Sequence, residues 1–272
     1  MNSIIKMTTD TNLASKLNIL VSLNGLSFYS KNSVAGNRDI LKNISFSNSQ
    51  RTEKIEDLLV AVFNKNNELI QKYDQVLVIH SNNLATFVPT ELFDEEYLGS
   101  YLQYKNKVFE NDFFTFDALP KHEMNAVYIP YVNMNNFFID YFGSFNYQHS
   151  STILVAKLLE FHTVDDTKIM YVHVAENHFE IIIIQNQKLL LYNSFDYKNP
   201  EDFIYFILFT AEQLQLNPDE FQLNLLGFIN LNDALFQICY KYIRNVCLLQ
   251  MTTSANSFTE TENRHHYILL NA

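Results

Sequence analysis

Apolar and polar residues alternate along 17–23 and again along 25–31, with Asn24-Gly25 between the two runs. A period of two predicts two half-buried strands. Asn-Gly predicts a tight turn, because both residues tolerate positive φ. A third strand is predicted from Ile40 to Ser47. The period then changes. Ile55, Leu58, Leu59, Val62 and Phe63 recur at helical spacing, and Leu69, Ile70 and Tyr73 continue the same face. "QVLVIH" at 75–80 predicts a buried strand, so this part of the chain reads βββαβ.

The same series returns after Thr167. "KIMYVHVAE", "NHFEIIIIQ" and "QKLLLYNSF" predict three strands. Asn199-Pro200-Glu201-Asp202 opens a helix whose acids suit its N-terminus and which runs to about Leu216. "FQLNLLGFI" at 221–229 is a buried strand. Asn24-Gly25 corresponds to Glu176-Asn177, and "NISF" at 43–46 to "YNSF" at 192–195. The matched order of elements points to an internal duplication.

Between the repeats, "LATFVP" at 84–89 reads as a short strand and "TELFDEEYLGSYLQYKN" as a helix with an acidic first turn. "MNAVYIPY" reads as a strand, "NMNNFFIDYFGSF" as a helix ending near Gly143, and "STILVAKLLEF" equally as helix or strand. At the end, Asn232 to Ile243 predicts a helix, and "NVCLLQMT" and "HHYILLNA" predict strands joined by the polar loop Thr253 to Asn263. The expected organisation is a flexible tail over 1–16, a first subdomain over 17–165 and a second over 166–272.

Composition narrows the function classes. Hydrophobic residues make up 47% and charged residues 18%, enough apolar content for a buried core. The net charge is −11 and no two Lys or Arg are adjacent. That disfavours nucleic-acid binding, which needs a basic face. No segment is long and apolar enough to span a bilayer, and no apolar leader precedes Ser15, so a cytoplasmic protein is expected. Two cysteines in apolar surroundings, Cys239 and Cys247, fit packed thiols. Only five residues are glycine, about 2% against roughly 7% in ordinary chains.

Two βββαβα halves side by side make an α/β protein of duplicated ribonuclease H-like subdomains, with mixed sheets flanked by helices. That architecture resembles the actin-like ATPase superfamily of sugar kinases, Hsp70 chaperones and pilus-assembly proteins. Over nearly its whole length the chain is similar to an uncharacterised bacterial family with a degenerate actin-like ATPase fold. The matching stretches are "NILVSLNGLSFYSKN", "YVHVAENHFEIIIIQNQKLLLYNSF", the helix after Pro200 and "FQLNLLGFI". The resemblance implies a fold and brings no established activity.

It also implies where a nucleotide would sit, and the residues there are altered. Active members carry an Asp in the first hairpin, where this chain has Ser22 and Asn24, while Gly25 and Ser27 keep a small-residue turn with a hydroxyl. The second hairpin should be rich in glycine, since a Cβ blocks backbone approach to phosphates. Here it is Ala175-Glu176-Asn177-His178-Phe179, with a carboxylate added. The adenosine segment keeps Gly227, and Phe228 replaces a second glycine. Asn24, Gly25, Ser27, Glu176, Asn177 and Gly227 are thus the remnant cleft. The expected function is a non-catalytic protein acting through contacts with a protein partner. A divergent nucleotide-binding ATPase or kinase is the alternative, with ATP and magnesium disfavoured as cofactors.

Other constellations read as structural. No HxxxH, HxH or CxxC occurs among the eight histidines, so no metal site is expected. His265 and His266 are adjacent and would point to opposite faces of a strand. The aromatic-rich segment 128–149 reads as core and inter-domain packing, or as an exposed patch for a protein partner.

Overall fold

The computed structural model describes residues 15–31, 39–46, 54–109, 111–161, 166–250 and 258–272. Most of the expected tail, the turn before Asp166 and the start of the loop after Thr253 lie outside the described residues.

The chain opens with β1 (Lys16–Ser22), β2 (Gly25–Lys31), β3 (Ile40–Ser45), α1 (Ile55–Lys65) and β4 (Gln75–His80). An inserted segment follows: β5 (Ala85–Pro89), α2 (Leu98–Leu102), β6 (Thr115–Leu119) and β7 (Met124–Tyr128). Then come α3 (Val132–Phe142), β8 (Asn146–His149) and α4 (Ser150–Phe161). The second series is β9 (Ile169–Val174), β10 (His178–Gln185), β11 (Lys188–Asp196), α5 (Pro200–Gln213), β12 (Gln222–Gly227), α6 (Ala234–Tyr242) and β13 (Asn245–Leu248). Two short helices close the chain, α7 (Glu260–His265) and α8 (Tyr267–Asn271).

The duplication is written in the sheet order. One sheet runs β3-β2-β1-β4-β8 and the other β11-β10-β9-β12-β13. In both, the first three strands pair antiparallel and the last two join in parallel. The insertion forms a separate three-stranded sheet, β5-β7-β6.

Each sheet has two faces with different tasks. Leu17, Ile19 and Val21 of β1 pack with Phe63 of α1 and Phe138 of α3 on the outer side. Phe179, Ile181 and Ile183 of β10 pack with Phe203 and Ile207 of α5 in the same way. The inner faces meet across α4 and α8, where Ile79, Leu154, Leu158, Ile182, Leu226 and Ile268 form one shared core. Helix α4 therefore buries nearly its whole first two turns, Ser150 to Val155. A helix apolar all round has no stripe, which is why its sequence left helix and strand open. The aromatic segment is mostly core: Phe137, Phe138, Tyr141 and Phe142 surround Phe63, with ring centroids 4.6 to 6.1 Å away.

Several sequence expectations give way. The first turn is Leu23-Asn24, because Ser22 pairs with Gly25, and neither Asn24 nor Gly25 has positive φ. "TELFDEEYLGSYLQYKN" is broken into 3-10 turns at Thr90–Leu92 and Glu95–Tyr97 before α2, where the side chain of Asp94 accepts a hydrogen bond from Glu96 N. "HHYILLNA" is helical: Thr259 and Glu262 make a reciprocal capping box that starts α7. The helix from Ile55 ends at Asn66, and a 3-10 turn carries Leu69 into the core.

Candidate functional site

Both hairpins end at one cleft of about 580 Å³ between the halves. Asn24, Gly25, Ser27, Glu176 and Asn177 line it together. Gly227 lies behind the wall that Phe228 forms. The loop after β4 adds Ser81, Asn82 and Asn83, β11 adds Asp196, and the junction of α7 and α8 adds His265 and His266.

The first hairpin turns its backbone inward. Asn24 N–H donates to Ser22 Oγ (3.2 Å), and Asn24 carbonyl accepts from Phe46 N–H (2.6 Å). Ser27 Oγ donates to Asn43 Oδ1 (2.7 Å). Gly25 is explained without a ligand: a Cβ there would collide with the Ile44 carbonyl on β3. The turn glycine of the sequence reading is a close-packing glycine.

The second hairpin carries exposed Glu176 and Asn177, and Ala175 N–H is bonded to His178 O (3.0 Å). His178 and Asp196 are ladder partners across β10 and β11. Gly227 has φ +84°, and a Cβ on it would strike Val174 O. Phe228 N–H continues the contact to Val174 O (2.8 Å). The Phe228 ring is 40% exposed and lies 5.7 Å from both His265 and His266. It walls the cleft and leaves it open. Among the described residues no Lys or Arg lines this space.

Beneath the second hairpin lies a buried polar cluster. Glu180, 1% exposed, accepts hydrogen bonds from His173 Nδ1 (2.9 Å) and Tyr192 OH (2.8 Å). Burial opposes its charge, but the His173 and Tyr192 bonds and nearby His178 together hold its pKa below the ordinary carboxylate value. An ionised carboxylate only accepts, so His173 Nδ1 carries the proton and Nε2 is left without a protein hydrogen bond among the described residues. His173 also lines the cleft. Lys105, from the insertion, donates to Ser194 Oγ (2.8 Å) and lies 5.3 Å from the Tyr192 ring centre. The residue is exposed along its length, yet its ammonium end is enclosed here. Burial lowers its pKa to about 8, resisted by Glu180 and Asp196.

The sequence reading named the hairpin residues and missed this support. Its signal was one acid inside the apolar run "HFEIIIIQ", since a buried charge needs partners. His265 and His266 do not take opposite faces of a strand, because the segment is helical and both reach the cleft. Among the described residues no group of three or more His, Cys, Asp or Glu is placed to hold a metal.

A family model described as "protein of unknown function (DUF3822)" matches residues 5–246, most of the chain. The chain belongs to the DUF3822 family. A crystal structure from Bacteroides thetaiotaomicron, a protein with actin-like ATPase fold and unknown function, is 22% identical, with a TM-score of 0.77 over 91% of this chain and 94% of that one. A PilM–PilN type IV pilus biogenesis complex is 12% identical, with a TM-score of 0.61 over 94% and 96%. No curated protein sequence matches. The fold of this DUF3822 chain is therefore the actin-like ATPase fold.

The floor of the DUF3822 cleft is fixed by neutral histidines. His149 Nδ1 accepts from Ser151 N–H (3.2 Å), so Nε2 is the protonated nitrogen and donates to Asn82 Oδ1 (3.2 Å). His80 Nδ1 accepts from Tyr131 N–H (3.2 Å), and its Nε2 donates to Asn135 Oδ1 (2.9 Å). Burial pushes His149 down to about 3 and His80 down to about 4. Asp117 accepts from Tyr128 OH, His149 N–H and Thr152 Oγ1, which ties the insertion to the start of α4. Asn82 is thereby held at the cleft edge, and Asn83 Nδ2 donates to Asp196 Oδ1 across it (3.2 Å). Among the described residues no helix is long and apolar enough to cross a membrane.

Proposed function

We propose that this DUF3822 protein is a non-catalytic member of the actin-like fold that works in the cytoplasm through contacts with a protein partner. The observation that carries this reading is the charge of the cleft wall. Glu176 and Asp196 face the space and no described Lys or Arg lines it; Lys105, which interacts with Asp196, has its ammonium bonded to Ser194 Oγ outside the lining. A triphosphate placed there would meet two carboxylates, and one of them, Glu176, stands in the hairpin where active folds present backbone donors. The first hairpin also spends its Asn24 N–H on Ser22. The PilM–PilN complex gives a precedent for a protein-binding role on this fold, although a shared fold does not fix a function.

The competing reading is a divergent nucleotide enzyme, favoured by an open cleft that both hairpins still reach. Phosphate release from Mg-ATP distinguishes the two. The proposed reading expects release at the buffer background. Release above background that Glu176→Gln or Asp196→Asn changes would establish the enzyme.

A further inference from the structure

We infer that the insertion between β4 and α3 presents a docking face for a basic, amphipathic segment of a protein partner. Such a face rests on the protein-partner reading of the proposed function and locates the contact.

The repeated fold does not require this segment. The first half places residues 81–131 between β4 and α3, where the second half has only 228–233 between β12 and α6. Yet the insertion carries the two most exposed large apolar side chains among the described residues, Tyr104 (88%) and Leu92 (70%), with Tyr97 at 56%. Leu98 and Leu102 turn the other side of α2 into the insertion's own core, beside Val88 and Val127. Hydrogen bonds from Gln103 N–H to Gly99 O and from Asn106 N–H to Leu102 O carry the helical turn past α2. Tyr97, Tyr101 and Tyr104 are spaced i, i+4 and i+7 along it, so they share one side. Tyr101 OH donates to Leu92 O (2.8 Å) and accepts from Asp94 N–H (2.9 Å), and Phe93 stacks on the Tyr101 ring at 6.2 Å. The patch is therefore contiguous and already ordered, so a partner binds it with little ordering cost on this side.

Charge selects the occupant. Glu91, Asp94, Glu95 and Glu96 are exposed in the same stretch and form no ion pair among the described residues. The lysines that follow are turned elsewhere. Lys105 Nζ donates to Ser194 Oγ (2.8 Å), and Lys107 Nζ lies 5.2 Å over the Phe109 ring. A second copy of this chain, with a net charge of −11, is repelled. A segment that sets Lys or Arg beside aliphatic residues fits instead. Its cations pair with the acids or lie on the tyrosine rings, and its apolar side chains cover Leu92. Exposed tyrosines inside a charged rim have the composition of a protein contact.

The test is a library of random dodecapeptides displayed on phage and selected on the immobilised full chain, with the selected peptides then titrated by fluorescence anisotropy. Peptides enriched in Lys or Arg together with apolar residues are expected. Their affinity should fall about tenfold or more in the triple variant Leu92→Ser, Tyr97→Ser, Tyr104→Ser, and likewise in Glu91→Gln, Glu95→Gln, Glu96→Gln. All six side chains are on the surface, so both variants should keep the wild-type urea unfolding midpoint. Asp94 is left in place because its carboxylate accepts from Glu96 N–H. Tyr205→Ala, an exposed aromatic on α5, should leave binding unchanged. No selected peptide, selection without Lys or Arg, or equal affinity for either triple variant would overturn the inference. So would a dimer of the full chain, seen by light scattering, that the first triple variant dissociates. Peptides that bind both variants as tightly as the wild type sink this face and leave the protein-partner reading standing. Phosphate release from Mg-ATP above background sinks that reading instead.

Discussion

At the scale of single residues, Gly25 and Gly227 each stand where a neighbouring strand's backbone leaves no room for a Cβ. Gly227 occupies φ +84° with no room for a Cβ against Val174. Gly227→Ala should lose roughly 2–3 kcal/mol by urea unfolding, from left-handed strain and the clash. The buried histidines set a pH dependence. His80 and His149 are held near 4 and 3, below an unfolded value of about 6.5. The unfolded chain binds more protons than the folded one in that interval, so stability is full above about pH 6.5 and falls as pH drops toward the folded values. Each site should remove roughly 2 kcal/mol between pH 6.5 and 5. Glu180 adds to the same trend lower down: its depressed pKa gives stability that is present above about 4.3 and lost as pH falls through the folded value. In His149→Asn, the slope of unfolding free energy against pH over 6.5 to 5 should shrink by about one proton. An unchanged slope would mean that His149 is not neutral in the folded state.

At the scale of elements, the legible parts were those with a clean period. The hairpins, α1, α5 and β12 show alternation or helical stripes, and the doubled βββαβ order followed from them. Strands β6 and β8 are short, and Asn146–His149 has no apolar alternation, so neither stood out. Helix α8 reads as an apolar run of strand length, and it is set instead by docking. Asn18 Nδ2 donates to Leu269 O (3.0 Å), and Ile268 and Leu269 enter the shared core. Leu269→Ala should lose about 2–4 kcal/mol in chemical unfolding, as for a fully buried leucine. Tyr205→Ala on the exposed face of α5 should change stability by no more than about 0.5 kcal/mol. Equal effects would contradict the placement of α8 between the sheets.

At the scale of the whole molecule, the two sheets repeat one strand order and share a core, and the cleft opens where their hairpins meet. Sequence located that meeting point through Asn24, Gly25, Ser27, Glu176 and Asn177. It missed Asp196, Asn82, Asn83 and the histidines of α7 and α8, because only tertiary folding brings residues from β11, the β4 loop and the C-terminus to one wall. The resulting cleft carries Glu176 and Asp196 on its wall, with no described Lys or Arg lining it. Thermal unfolding with Mg-ATP and Mg-ADP reads directly whether the cleft still takes a nucleotide. Ligand at 100 times its dissociation constant would add about 2.7 kcal/mol, a rise of several degrees for a chain of this size. Neither nucleotide should raise the unfolding midpoint of a cleft that has lost its phosphate-binding chemistry. A saturable rise with Mg-ATP or Mg-ADP would contradict it.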